Sequence, residues 1–430
     1  MRSPRQIGTR MGVYPWNLSY CLRVLRLSQI FGGSPSRWFL STRGVSTGLA
    51  LGLALSYTKI LGVEKRSVLA FIMVSALILT FIFTSGISLA LRNKAPSEIK
   101  DEEYFGFLTL VAVAGILVGA LNCTLLLIYS QLKTEIPGPI YVVCFVYSFF
   151  ACVNMGYQDA LVAMNNLKLA AFFDFITVLV QIATMTFFIA LSQTSLIISV
   201  FVAFIFSYAL ISFATGAVFL NSFPANFSLL PSGVRSILKQ SRQQHLFGIA
   251  NGLVDRIDRF LIGLILPIGV LAKYALLSSI ISFARFFPDT AVKLNLLRHH
   301  QGKAKKGISS DPGTVIAIIT VGIAFALCAQ LFIKFIFGEI WLLPLSVGFL
   351  FVAQEILRGN YQIKAVQLIA LGGKAEISKI SLLLILSSIS FITIGSFVFG
   401  IIGVPIAMVC VYLILTLRIS MVLKRVTYVG

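Results

Sequence analysis

The densest charge inside an apolar stretch is the run Asp255-Arg256-Ile257-Asp258-Arg259. Asp255 and Arg259 stand at i and i+4, the spacing that lets an acid and a base pair on one helix face, and Arg256 and Asp258 flank that face. Ionisable groups cost a few kcal/mol each when placed in hydrocarbon, so these belong against a wet or protein-lined interior. Two readings stand side by side. In one the run lines a polar cavity, where an aspartate titrates or binds a cation; in the other the four charges neutralise one another as a structural cluster. Arg43 lies about 9 Å into its apolar run and Arg285 about 15 Å into another, at about 1.5 Å of rise per residue. Small or polar neighbours surround the first: Ser41, Thr42, Gly44, Ser46, Thr47 and Gly48. A guanidinium fork matches the oxygens of a phosphate, and the competing expectation is that each arginine snorkels to the inner headgroups. Arg43, Arg285, Arg259 and Arg256 are therefore the candidate substrate contacts. Asp255, Asp258, Asp174 and Glu355 are the candidate coupling or counter-charge positions. Gln181, Gln193, Gln330 and Gln354 would add hydrogen bonds between helices.

Other chemistry is missing from the chain. No GxxxxGK[ST] phosphate loop occurs; Gly372-Gly373-Lys374-Ala375 has alanine where the hydroxyl belongs. No HExxH occurs, and the His299–His300 pair sits in a basic link, as expected of a solvated face. The six cysteines (Cys21, Cys123, Cys144, Cys152, Cys328, Cys410) have no CxxC spacing and read as small buried hydrophobes. No metal and no cofactor is expected, beyond a proton or sodium ion as coupling partner.

The elements that position these residues follow from composition. Of 430 residues, 58% are hydrophobic and 12% charged, against about 25% charged in a soluble domain. With a mean hydropathy of +0.94, much of the surface must face lipid. Helices satisfy their own backbone groups there, and the apolar runs exceed the ten-residue strands of a barrel. Twelve runs fit spans, at 38–62, 67–91, 105–130, 138–158, 168–191, 195–220, 246–267, 272–295, 313–337, 341–358, 379–399 and 402–421. Gly62, Pro137-Gly138-Pro139, Pro224, Pro231, Pro267, Pro312, Gly338 and Gly403 mark their ends. With the N-terminus inside, inner segments hold 25 of the 35 lysines and arginines and outer segments 4, among them Lys65 and Arg66. That bias places both termini in the cytoplasm. The net charge of +20 is spread over links between spans, which suits anionic headgroups and argues against nucleic acid.

The expected organisation is an all-α polytopic membrane protein of about twelve helices in two six-helix lobes around a central cavity. It comprises a basic interfacial segment 1–37, an N-lobe 38–220, a cytoplasmic linker 221–245, a C-lobe 246–421 and a tail 422–430. No soluble domain or long outer loop is present to house an enzyme site. A transporter, with its site built from helices at mid-membrane, suits this map better. A membrane-embedded sugar-lipid enzyme such as a polymerase, or a non-transporting scaffold, are the readings from other classes.

Specific residues then carry a resemblance. Tyr57-Thr58-Lys59-Ile60-Leu61-Gly62-Val63-Glu64 is similar to the R-x-L-G-x-E junction of bacterial polysaccharide flippases. The stretch from Asn251 to Gly263, followed by a short hairpin and Tyr274-Ala275, resembles that family's seventh span. Phe335-Ile336-Phe337-Gly338-Glu339-Ile340-Trp341 resembles its FG-x-x-W turn. The likeness covers most of the chain from about residue 38. It departs from the family at Lys59, where arginine is usual, and at Val63-Glu64-Lys65-Arg66, which lacks the usual aromatic-glycine. The basic N-terminus is also atypical.

The family is the Wzx-type flippase branch of the multidrug/oligosaccharidyl-lipid/polysaccharide exporter superfamily. The resemblance implies a MATE-like fold in the bacterial cytoplasmic membrane. It also implies movement of polyprenyl-diphosphate-linked oligosaccharide from the inner to the outer leaflet for O-antigen, capsule or lipopolysaccharide assembly. Implied partners are the lipid-linked oligosaccharide, membrane lipids, and polysaccharide polymerase and chain-length proteins. A cation-coupled multidrug or metabolite antiporter is the alternative within the superfamily.

Overall fold

The computed structural model describes residues 35–92, 99–164, 166–191, 195–222, 230–242, 245–281, 324, 327–370 and 374–429. The basic segment 1–34 and the second part of the eighth predicted span therefore lie outside the described residues. Among the described residues the regular structure is helical throughout. In chain order the helices are α1 (Pro35–Arg92), α2 (Asp101–Lys133), α3 (Gly138–Ala163), α4 (Leu167–Leu191), α5 (Leu196–Ser222), α6 (Leu230–Ser241), α7 (His245–Ile265), α8 (Val270–Ile281), α9 (Leu327–Phe337), α10 (Leu345–Ala370), α11 (Lys374–Phe399) and α12 (Gly403–Val429).

Helix α1 is two predicted spans joined without a loop. Its apolar part, Gly44–Leu91, runs 48 residues, about 72 Å of helix against a hydrocarbon core of about 30 Å. It breaks at Gly62, whose φ of 72° lies where a side chain would clash with its own backbone. The arms are 35–61 and 63–92. Among the described residues seven helices are long and apolar enough to cross a membrane. Helices α7 and α10, at 21 and 26 residues, have the length as well. Their charged residues set them apart, and both belong to the candidate site. Large apolar side chains on the perimeter stay uncovered, such as Phe213, Phe397 and Phe335, as expected where lipid is the solvent.

Boundaries moved in informative ways. The tenth span, expected at 341–358, begins after a 3-10 turn at Glu339–Trp341 and continues to Ala370. The expected link 221–245 contains α6, an amphipathic helix. It lies against the start of α2, where Ser232 donates to Glu102 (2.9 Å) and Ser236 and Gln240 donate to Glu103 (2.7 and 3.1 Å).

Packing gathers the helices into two groups. Helices α1 to α5 contact one another, with α6 docked on α1 and α2; α7, α8, α10, α11 and α12 form the second group. Little apolar driving force acts between helices in lipid, so buried polar contacts matter more. Asn122 of α2 accepts from Ser75 of α1, and donates to the Ile72 carbonyl (3.1 Å) and to Ser148 of α3 (2.7 Å).

The groups meet chiefly where the second arm of α1 runs antiparallel to α7. Small residues permit the close approach: Gly86 packs on His245, Gly248 on Ser85 and Leu89, Gly252 on Phe81 and Gly263 on Phe71. At the Gly62 end the seam is latched. Ser67 Oγ accepts from the backbone N–H groups of Gly269 (3.1 Å) and Ala272 (3.3 Å), and Lys133 Nζ donates to the Leu266 carbonyl (3.0 Å).

Candidate functional site

Helix α7 places its charged run in the molecule's interior, as the cost of lipid exposure demands. The expected Asp255–Arg259 pair does not form. Asp255 is held from another helix by Arg358 of α10. Arg358 Nε lies 2.6 Å from Oδ1, and Nη2 donates to Oδ2 at 2.6 Å. The same guanidinium reaches Glu355 at 3.3 Å, one turn away on α10. Side-chain exposures of 5%, 19% and 11% for Arg358, Asp255 and Glu355 make this a buried triad. A fork contacting a planar carboxylate from a facing helix is a better partner than an i+4 neighbour on the same surface.

The other members of the run separate. Asp258, 1% exposed, accepts from Tyr274 Oη of α8 (2.9 Å) and from the backbone N–H of Arg259 (2.7 Å). Tyr274 in turn packs on Phe351 of α10, ring centroids 4.6 Å apart. Arg259 donates to Ser278 of α8 (2.5 Å), and its Nε is buried without a partner. Arg256 faces the seam, its guanidinium 4.9 Å above the Phe81 ring. A tight crevice with no room for a water molecule borders Asp255 and Arg358, lined also by Val254, Tyr361, Gln362, Leu384 and Tyr412. The Tyr361 hydroxyl is buried there without a hydrogen bond.

In the first group Asp174 sits on α4, and its carbonyl accepts from Ser46 of α1 (3.4 Å). Nearby rings cluster: Tyr57 lies edge-on to Phe204, and Tyr147 contacts Phe201, Phe204 and Tyr208. Gln181 is buried on α4. Arg66, expected in an exposed outer link, is 4% exposed. Its Nε donates to Thr58 Oγ1 (3.0 Å), its guanidinium stacks 4.9 Å over Tyr57, and Nη1 is buried without a partner.

The structure thus brings Asp255 and Glu355 together and keeps Asp174 apart from them, on a helix of the first group. The side chain of Arg43 and the whole of Arg285 lie outside the described residues. Sequence reasoning missed Arg358 and Arg66. Arg358 fell at the margin of a span drawn too short. Arg66 carried a signal, because it occurs where the resemblance fails, in place of the family's aromatic-glycine. Among the described residues no group of three or more His, Cys, Asp or Glu is arranged to hold a metal.

No family model and no curated protein matches the chain. Solved structures do. The protein described as "Lipid II flippase MurJ, inward closed conformation" matches with a TM-score of 0.67 at 14% identity, over 90% of this chain and 87% of that one. The inward-facing conformation of a multidrug resistance MATE family transporter of the MOP superfamily matches with a TM-score of 0.55 at 14% identity, over 94% and 99%. An outward-facing conformation matches with a TM-score of 0.51 at 14% identity, again over 94% and 99%. These proteins are transporters and flippases. The chain has their fold, that of a multi-pass membrane protein of the MATE and MurJ kind.

Proposed function

We propose that this protein is a flippase for an anionic lipid-linked oligosaccharide, moving a polyprenyl-diphosphate-linked repeat from the inner to the outer leaflet by alternating access between two lobes. The observation that carries the reading is the state of the buried acids. An exporter of organic cations needs a carboxylate available inside. Here Asp255 and Glu355 are bound by Arg358 and Asp258 is held by Tyr274. Guanidinium N–H groups on Arg66 and Arg259, by contrast, are buried without a hydrogen bond and, among the described residues, without a carboxylate at ion-pairing distance, whereas Arg358 has two. An interior whose α7 and α10 acids are engaged and whose guanidinium groups keep unbonded N–H groups favours a negatively charged cargo. The higher TM-score with the lipid flippase than with the two MATE structures supports the same direction.

In this reading the Gly62 end is the outer end, and the latch at Ser67 closes the path to the outside. The diphosphate enters from the cytoplasmic side, the polyprenyl tail stays in lipid, and the sugars cross between the lobes. Arg43 and Arg285 are the proposed first contacts on the inner side. A proton or sodium gradient would be the energy source.

Deletion of the gene in a polysaccharide-producing host tests this directly. Lipid-linked oligosaccharide should accumulate on the inner face of the membrane, and the wild-type protein should relieve it. Organic-cation efflux without any accumulation would sink the reading in favour of the antiporter.

A further inference from the structure

Arg66 and its surroundings are the least explained feature of the interior. A buried charge costs several kcal/mol unless paired, yet among the described residues no carboxylate lies within ion-pairing distance of Arg66. Neighbouring Glu64 is exposed. The side chain is nevertheless held in place, by Thr58 at Nε and by the Tyr57 ring beneath it. The opposite edge, Nη1, has no acceptor. The next residue, Ser67, is the latch to the facing helix group. A fixed guanidinium with one buried, unbonded edge, next in sequence to the contact that closes the Gly62 end, is arranged to meet an anion that arrives when that contact changes.

We infer that Arg66 is a diphosphate contact near the exit: Nη1 donates to a phosphate oxygen of the lipid-linked cargo as it reaches the Gly62 end. The inference rests on the flippase reading above and extends it to a residue and a stage of transit. Leaving this edge unbonded in the closed state keeps its hydrogen-bonding capacity for cargo, whereas Arg358 already faces two carboxylates.

Native mass spectrometry of the full-length protein tests it, with undecaprenyl diphosphate, undecaprenol, phosphatidylglycerol and inorganic pyrophosphate as probes. The wild type should prefer undecaprenyl diphosphate to undecaprenol. R66Q and R66M should lose about 10- to 100-fold in affinity for the diphosphate, the range of a hydrogen bond to a charged group. R66K should fall between. T58V keeps the charge but removes its anchor, and should lose a few-fold. Thermal midpoints of R66M should stay level or rise, since an uncompensated buried charge has been removed; a marked fall with binding retained would make Arg66 structural and overturn the inference. Wild-type binding in R66Q would overturn it too, leaving the flippase reading standing. A wild type that binds undecaprenol equally well would overturn both. Equal binding of phosphatidylglycerol, or tighter binding of inorganic pyrophosphate, would reassign the group to bulk lipid or a soluble anion and overturn it as a cargo contact.

Discussion

Arg358 and Arg66 are equally hidden, each 4% exposed, and their surroundings differ in kind. Arg358 sits between Asp255 and Glu355, with contacts of 2.6 to 3.3 Å on both carboxylates. Arg66 has one hydroxyl, one aromatic face and a buried edge without a hydrogen bond. The first arrangement gives its stabilising contacts in the resting fold and ties α7 to α10. The second leaves part of its bonding capacity unused until another group arrives. Burial alone therefore does not tell a structural charge from a functional one. What distinguishes them is whether the folded chain already supplies the counter-charge.

Breaking the triad should give the largest effect. Arg358→Ala leaves two buried carboxylates without their cation, at a cost of about 3–5 kcal/mol, read as a lower thermal midpoint in detergent. The paired change Asp255→Ala with Arg358→Ala should be less damaging than the sum of the single changes, and strict additivity in that double-mutant cycle would dissolve the contrast with Arg66. Next comes Tyr274→Phe, which takes the hydroxyl from a buried carboxylate of Asp258 and should cost about 1–3 kcal/mol in the same measurement. At the seam, Gly252→Leu would drive a side chain into Phe81. Overpacking of this sort costs about 1–3 kcal/mol, and cross-linking of cysteines placed across the α1–α7 contact should slow because the groups are held apart. The smallest change is expected from Ser67→Ala. It removes two helix–helix hydrogen bonds, each averaging about 0.6 kcal/mol in a membrane protein, so folding should respond by only about 1 kcal/mol while accessibility of the Gly62 end to a membrane-impermeant thiol reagent rises.

Much of the architecture was legible from composition and spacing. Apolar runs of span length have few alternatives in lipid, because the backbone must satisfy itself locally. All twelve expected spans fall wholly or partly in described helices, the first two sharing α1, and Gly62, Pro137 and Gly338 stand at breaks as expected. The site was legible only in part. That α7 had to turn its charges inward followed from the energetic cost of lipid exposure. Their partners did not, since Asp255 meets a residue 103 positions away in the chain.

What the sequence alone determined is the class of molecule and the interior placement of its charges, because the bilayer sets those by local hydrophobicity and length. The tertiary structure decided which charges are paired. It took Asp255 from its helical neighbour Arg259 and gave it to Arg358, and it buried Arg66 where a link had been expected. Pairing depends on which faces of distant helices meet, and electrostatic energy at such contacts changes steeply over a few ångströms of separation and with the loss of water. No periodicity within one segment encodes that distance.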